Sequence, residues 1–121
     1  VKRSNIPIHL HNNCAVSMIQ FELSEELLHV FSEELMQALF TYEARGVILD
    51  LSAIAVIDHY NLLALNKVLN KCRIMGVEAV ICGLRPAVVS ALVTSDADVS
   101  KLHAFHSLDD AMDYCNKTNR E

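Results

Sequence analysis

Apolar and polar positions alternate at the start of the chain. Ile6-Pro7-Ile8-His9-Leu10 follows a two-residue period, His11-Asn12-Asn13 supplies turn formers, and Cys14-Ala15-Val16-Ser17-Met18-Ile19 is again strand-like. The pattern predicts an antiparallel hairpin. The period then lengthens: Ser24 is a helix cap with Glu25 and Glu26 behind it, and Leu27, Phe31, Leu35, Ala38, Leu39 and Tyr42 recur at helical spacing. This first helix should bury one stripe. Arg45-Gly46 breaks it, and Val47-Ile48-Leu49-Asp50-Leu51 is an apolar run expected of a central strand covered on both faces.

A second helix is predicted from about Asp58 to Met75. Leu62, Leu65, Val68, Leu69, Cys72 and Met75 form its apolar face, Asn66, Lys67, Asn70 and Arg73 lie on another, and Gly76 suits the C′ position. Glu78-Ala79-Val80-Ile81-Cys82 reads as a buried strand, Gly83 as a turn, and Pro86 as the first residue of a short helix reaching Thr94. Lys101 to Phe105 is predicted as an edge strand. Ser107, Asp109 and Asp110 open a terminal helix carrying Leu108, Ala111, Met112 and Cys115. The order β-β-α-β-α-β-α-β-α predicts an α/β fold: a mixed, mostly parallel sheet with an N-terminal antiparallel hairpin and about four helices.

With 121 residues, 52% of them apolar, the chain suits one domain, with a core expected over about 6–115 and frayed ends. A net charge of −5 argues against a phosphate-backbone partner, so no nucleic-acid binding is expected. No apolar run approaches the roughly 20 residues of a membrane span, and residues 1–7 carry no apolar leader; no membrane association and a cytoplasmic location are expected. Cys14, Cys72, Cys82 and Cys115 are spread through apolar segments without C-x-x-C and read as buried thiols. Gly46, Gly76 and Gly83 are isolated, so neither G-x-G-x-x-G nor a P-loop is present, and hydrolase and zinc signatures are missing too. No cofactor, metal or enzymatic activity is expected.

The segments that could carry chemistry are few. His9 and His11 would share one side of a strand, as metal ligands can, but nothing at a supporting spacing joins them; His103 and His106 read likewise as surface residues. Asp50 and Asp58 bracket a loop at the carboxyl end of a parallel strand, where binding sites collect. Without a nucleophile nearby they read as structural, Asp58 capping the second helix and Asp50 ordering the loop. The short third helix is apolar over much of its circumference. Its residues Val88, Val89, Leu92 and Val93, with Arg85 ahead of them, suggest a face toward the sheet and another, including Val89 and Val93, toward a partner.

Arg45-Gly46-Val47-Ile48-Leu49-Asp50-Leu51-Ser52, Val56-Ile57-Asp58, Met75-Gly76-Val77 and Gly83-Leu84-Arg85-Pro86-Ala87-Val88 stand in an order and spacing that resembles STAS domains, the anti-anti-sigma-factor family. With Ile6-Pro7-Ile8 added, the set is similar to the small single-domain scaffold subunit of the bacterial stressosome, from about Ile6 to Cys115. The resemblance implies a non-enzymatic anti-sigma-factor antagonist or stressosome-type scaffold in stress signalling. Its partners would be an anti-sigma-type serine/threonine switch kinase and larger STAS sensor subunits, in a homo- or hetero-oligomer. The partner-binding loop would be Asp50, Ser52, Asp58, His59, Tyr60 and Asn61.

In the family, the residue after the Asp that opens the second helix is a phosphorylatable Ser or Thr; here it is His59. Three readings follow. The subunit lacks the usual switch at that position; or phosphorylation moves to Ser52 or to Ser24, whose bland roles are loop ordering and capping; or the imidazole is itself phosphorylated, contacts a ligand or responds to pH. Two rival classes remain: a small-ligand or nucleotide-binding sensor using the same edge, and an enzyme working through Asp50, Asp58 and His59.

Overall fold

Asn12 and Asn13 both adopt left-handed backbone, at φ 52 and 66. Two consecutive residues of that kind make the type I′ turn whose twist matches paired strands, and asparagine tolerates it better than most side chains. The turn joins β1 (His9–His11) to β2 (Cys14–Met18), antiparallel with His11 opposite Cys14. The computed structural model describes residues 3–20, 22–95, 99 and 102–119, the side chains of 118 and 119 apart. After β2 come α1 (Glu25–Tyr42), β3 (Gly46–Asp50), α2 (His59–Ile74), β4 (Glu78–Cys82), α3 (Pro86–Thr94), β5 (Ala104–Phe105) and α4 (Leu108–Asn119).

The strands lie in the order β1-β2-β3-β4-β5, and every pair after the first is parallel. All five residues of β3 are buried, which is why its sequence is a continuous apolar run. Alternation divides the core in two. Ala15, Val47, Leu49 and Ile81 join Phe31, Leu35, Leu65 and Leu69 beneath α1 and α2. Cys14, Ile48, Val80 and Cys82 face the other way, against Ala111 and Cys115 of α4.

The helix ends follow their local chemistry. Ser24 Oγ accepts from Leu27 N at 3.0 Å at the start of α1, and Ser107 Oγ from Asp110 N at 3.2 Å at the start of α4. At the end of α2, Gly76 takes φ 81, and the N–H groups of Gly76 and Val77 donate to the carbonyls of Arg73 and Cys72 at 2.9 and 3.0 Å. That pair of bonds is a Schellman motif.

Four expectations need correction. Tyr42 and Met75 are exposed, because each helix outruns the sheet it covers. The first strand starts at His9: Ile6 is buried in the core, but its N–H donates to Ser4 Oγ at 3.1 Å and Pro7 has no N–H to pair. The last strand shrinks to Ala104–Phe105, since His103 sits at φ 47; Lys101 lies outside the described residues.

All four cysteines are free and buried. Burial pushes the Cys72 thiol up to about 11, and burial with the Asp50 carboxylate pushes Cys82 up to about 12. Cys14 and Cys115 meet across the α4 face: the Cys14 thiol, hydrogen-bonded to Cys115, is pushed up, and Cys115 is pulled below the usual thiol range. A Cβ on Gly46 would lie 3.2 Å from the Cys14 sulfur and 3.4 Å from that of Cys115, so the glycine makes room for both.

Candidate functional site

Because β2, β3 and β4 are parallel, the connections leading into α1, α2 and α3 gather at one edge of the molecule. Asp50, the last residue of β3, is 7% exposed and stays in the ladder, its carbonyl accepting from Ile19 N at 3.0 Å. Its carboxylate Oδ1 accepts from Ser52 N at 2.9 Å, turning the chain out of the sheet. Ile54 and Ile57 then pin the loop to the core, leaving Val56 exposed between them.

A second connection braces the first. Gly83 adopts φ 75, and a Cβ there would fall 2.8 Å from Asp50 Oδ1 and 3.1 Å from Ser52 Cβ. Glycine alone lets the backbone after β4 approach so closely. Arg85 Nε then donates to the Ser52 carbonyl at 2.9 Å. Asp50, Ser52 and Arg85 thus form one bonded unit, and Gly83 is a member whose sequence context signals only a turn.

Asp58 takes extended backbone and its Oδ1 accepts from Asn61 N at 2.8 Å, capping α2. The cap leaves His59 at the first helical position, exposed, its ring edge-on to that of Tyr60 at 5.8 Å and 68°. Tyr60 is 78% exposed. On α3, Val88 and Leu92 are buried while Val89 and Val93 point outward. Val56 and Leu63 are exposed apolar residues that sequence reasoning missed; Leu63 was legible, since it falls off the apolar stripe of α2. The Ser24 hydroxyl, in the connection leading into α1, is engaged in capping that helix.

Chemically, both carboxylates of the loop are engaged by backbone N–H groups, and the His59 ring meets that of Tyr60. What the edge offers is exposed aromatic, imidazole and aliphatic surface over a rigid frame. Among the described residues, no helix is long and apolar enough to cross a membrane.

The family model described as STAS domain matches residues 5–111. The chain belongs to the STAS family. Solved STAS structures share its fold. RsbS of Moorella thermoacetica, in a serine-to-glutamate variant, superposes with a TM-score of 0.79 at 23% identity, over 97% of this chain and 99% of that one. A chain from the molecular architecture of the stressosome, described as a signal integration and transduction hub, gives 0.73 at 23% identity over 95% and 100%. The anti-sigma factor antagonist SpoIIAA in its unphosphorylated form gives 0.69 at 11% identity over 93% and 96%. No curated protein matches the sequence.

Proposed function

We propose that this STAS domain is a non-enzymatic protein-binding subunit, an anti-sigma-factor antagonist or stressosome-type scaffold in stress signalling, which docks through residues 50–61 and the outer face of α3. The observation that carries the reading is His59, exposed at the first position of α2 directly after the capping Asp58. There the family resemblance expects a phosphorylatable hydroxyl. A phosphate ester would bring about −1.5 to −2 charges to a helix N-terminus and reshape the docking edge. An imidazole forms no such ester, so the edge keeps one binding state.

The partners this reading calls for are an anti-sigma-type serine/threonine switch kinase and larger STAS sensor subunits, met in the cytoplasm. The likeness to RsbS and to a stressosome chain supports assembly. Any phosphate in this loop falls to Ser52, whose N–H and carbonyl are bonded to Asp50 and Arg85 and whose side chain is exposed.

Two measurements test it. Incubated with a switch kinase and ATP, the wild-type chain should gain no phosphoryl group at position 59, while His59→Ser should gain one and bind the kinase less tightly. Acid-labile phosphate mapped to His59 in the wild type ends the reading. In size-exclusion chromatography with light scattering, the chain with a co-expressed sensor subunit should elute as an assembly; a strict monomer in both the presence and absence of that subunit overturns the scaffold.

A further inference from the structure

α4 covers its face of the sheet only in part. It packs mainly over β3, β4 and β5, and leaves β1 and the end of β2 open on that side. There His9 stands opposite Val16 and Met18 opposite Asp50, so alternation turns all four side chains to the face on which Ile48 and Cys82 also lie. The result is a hollow of about 320 Å³, near the lower end of the range for small-ligand sites, lined also by Pro7, Gln20 and, at the head of α4, Leu108.

The hollow has one carboxylate, Asp50, and no lysine or arginine in its lining. Asp50 is only 7% exposed. Its Oδ1 accepts from Ser52 N at 2.9 Å, while its other oxygen has no described partner and no described cation lies within ion-pair distance. Arg85 Nε donates to the Ser52 carbonyl instead. A buried carboxylate held by a single backbone N–H leaves much of its desolvation cost uncompensated, and a cation at the second oxygen relieves it. Around that charge Val16, Met18 and Leu108 offer apolar surface. The Gln20 amide nitrogen donates to Met18 Sδ at 3.7 Å, which leaves its carbonyl oxygen as an acceptor. With no second acid in the lining, the complement is one positive charge on a short apolar tail.

We propose that this hollow binds a small primary alkylammonium ion. Its N–H groups donate to the open Asp50 oxygen and to Gln20 Oε1, and its alkyl chain lies on Val16, Met18 and Leu108. The site shares Asp50 with the docking edge, and it stands whether or not that edge binds a kinase.

The probe is n-pentylammonium, titrated into the labelled protein and followed by amide NMR at about pH 8, where an alkylamine is still cationic and an ordinary imidazole is neutral. It should shift the amides of Val16, Met18, Asp50 and Leu108 and saturate in the millimolar range, as expected of one charge-assisted contact in an open site. Pentanol should bind at least about tenfold more weakly, pentanoate should not bind, and the pentane diammonium ion should bind no more tightly per ammonium group. Asp50→Asn keeps an oxygen for Ser52 N but removes the charge, so the ammonium should fall to the affinity of the alcohol. Met18→Lys, at a position 41% exposed, sets a tethered ammonium beside Asp50 and should abolish binding of the free one. Equal binding of ammonium and alcohol, shifts centred elsewhere, no shifts at the highest soluble concentration, or unchanged binding to Met18→Lys each overturns the proposal. Because Met18 is exposed, its variant keeps the proposal falsifiable even where Asp50→Asn fails to fold.

Discussion

Asp58 and Gly83 shape the docking edge by different means, and substitution separates them. Asp58 supplies one hydrogen bond to Asn61 N, so Asp58→Ala should lower stability by about 1 kcal/mol in denaturant titration and speed hydrogen exchange at the Asn61 amide. Gly83 supplies an absence. Gly83→Ala meets both a left-handed φ and the Asp50 carboxylate 2.8 Å away, and should cost about 1–3 kcal/mol while shifting the Ser52 amide resonance. An unchanged Ser52 resonance would show that the two loops are not braced together. The difference explains what was legible in the sequence. A cap is a local signal, readable from an Asp at the head of a helical pattern. The requirement for glycine at 83 comes from Asp50 and Ser52 on another strand's exit, a contact that only the folded sheet creates.

Elements show the same division. The turn at Asn12-Asn13, the caps of α1, α2 and α4, and the Schellman end of α2 were readable because each is settled within a few neighbours. Burial at helix ends was not: Tyr42 and Met75 continue their apolar stripes beyond the reach of the sheet, so periodicity overstates the core there. α3 is the instructive middle case. Its sequence is apolar on two sides, and the structure sends Val88 and Leu92 inward and leaves Val89 and Val93 in solvent. Val89→Asp/Val93→Asp should therefore leave the unfolding midpoint nearly unchanged, within about 0.5 kcal/mol, while Val88→Asp should unfold the domain. If the outer face of α3 is contact area, the double variant should also fail to assemble with a sensor subunit in light scattering; intact assembly would remove α3 from the docking edge.

For the molecule as a whole, the buried thiols impose a pH limit on stability. Cys72 and Cys82 hold their protons in the fold up to about 11 and 12, whereas in the unfolded chain they release them near the ordinary thiol value of 9.0. Above that value the unfolded state binds fewer protons than the native one, so stability is fully present below it and falls as pH rises toward 11 or 12. Each thiol adds a slope of up to about 1.4 kcal/mol per pH unit. Denaturant titrations at rising alkaline pH should show this decline, and Cys72→Ala/Cys82→Ala should flatten it; an equal decline in the double variant would assign the effect to other groups. The architecture around those thiols was legible as element order and a mostly parallel sheet, since buried strands and amphipathic helices leave few arrangements open.

Positions 14, 46 and 115 come from a hairpin, a central strand and the terminal helix, yet they compete for one small volume. None can drift alone. Gly46→Ala should weaken the fold by about 1–3 kcal/mol through crowding, and trimming Cys115→Ala in the same chain should return part of that loss, a non-additivity that a double-mutant cycle measures directly. A side chain gained at 46 is therefore accommodated best beside a smaller neighbour at 14 or 115, so the trio shares one allotment of space among three distant stretches of chain.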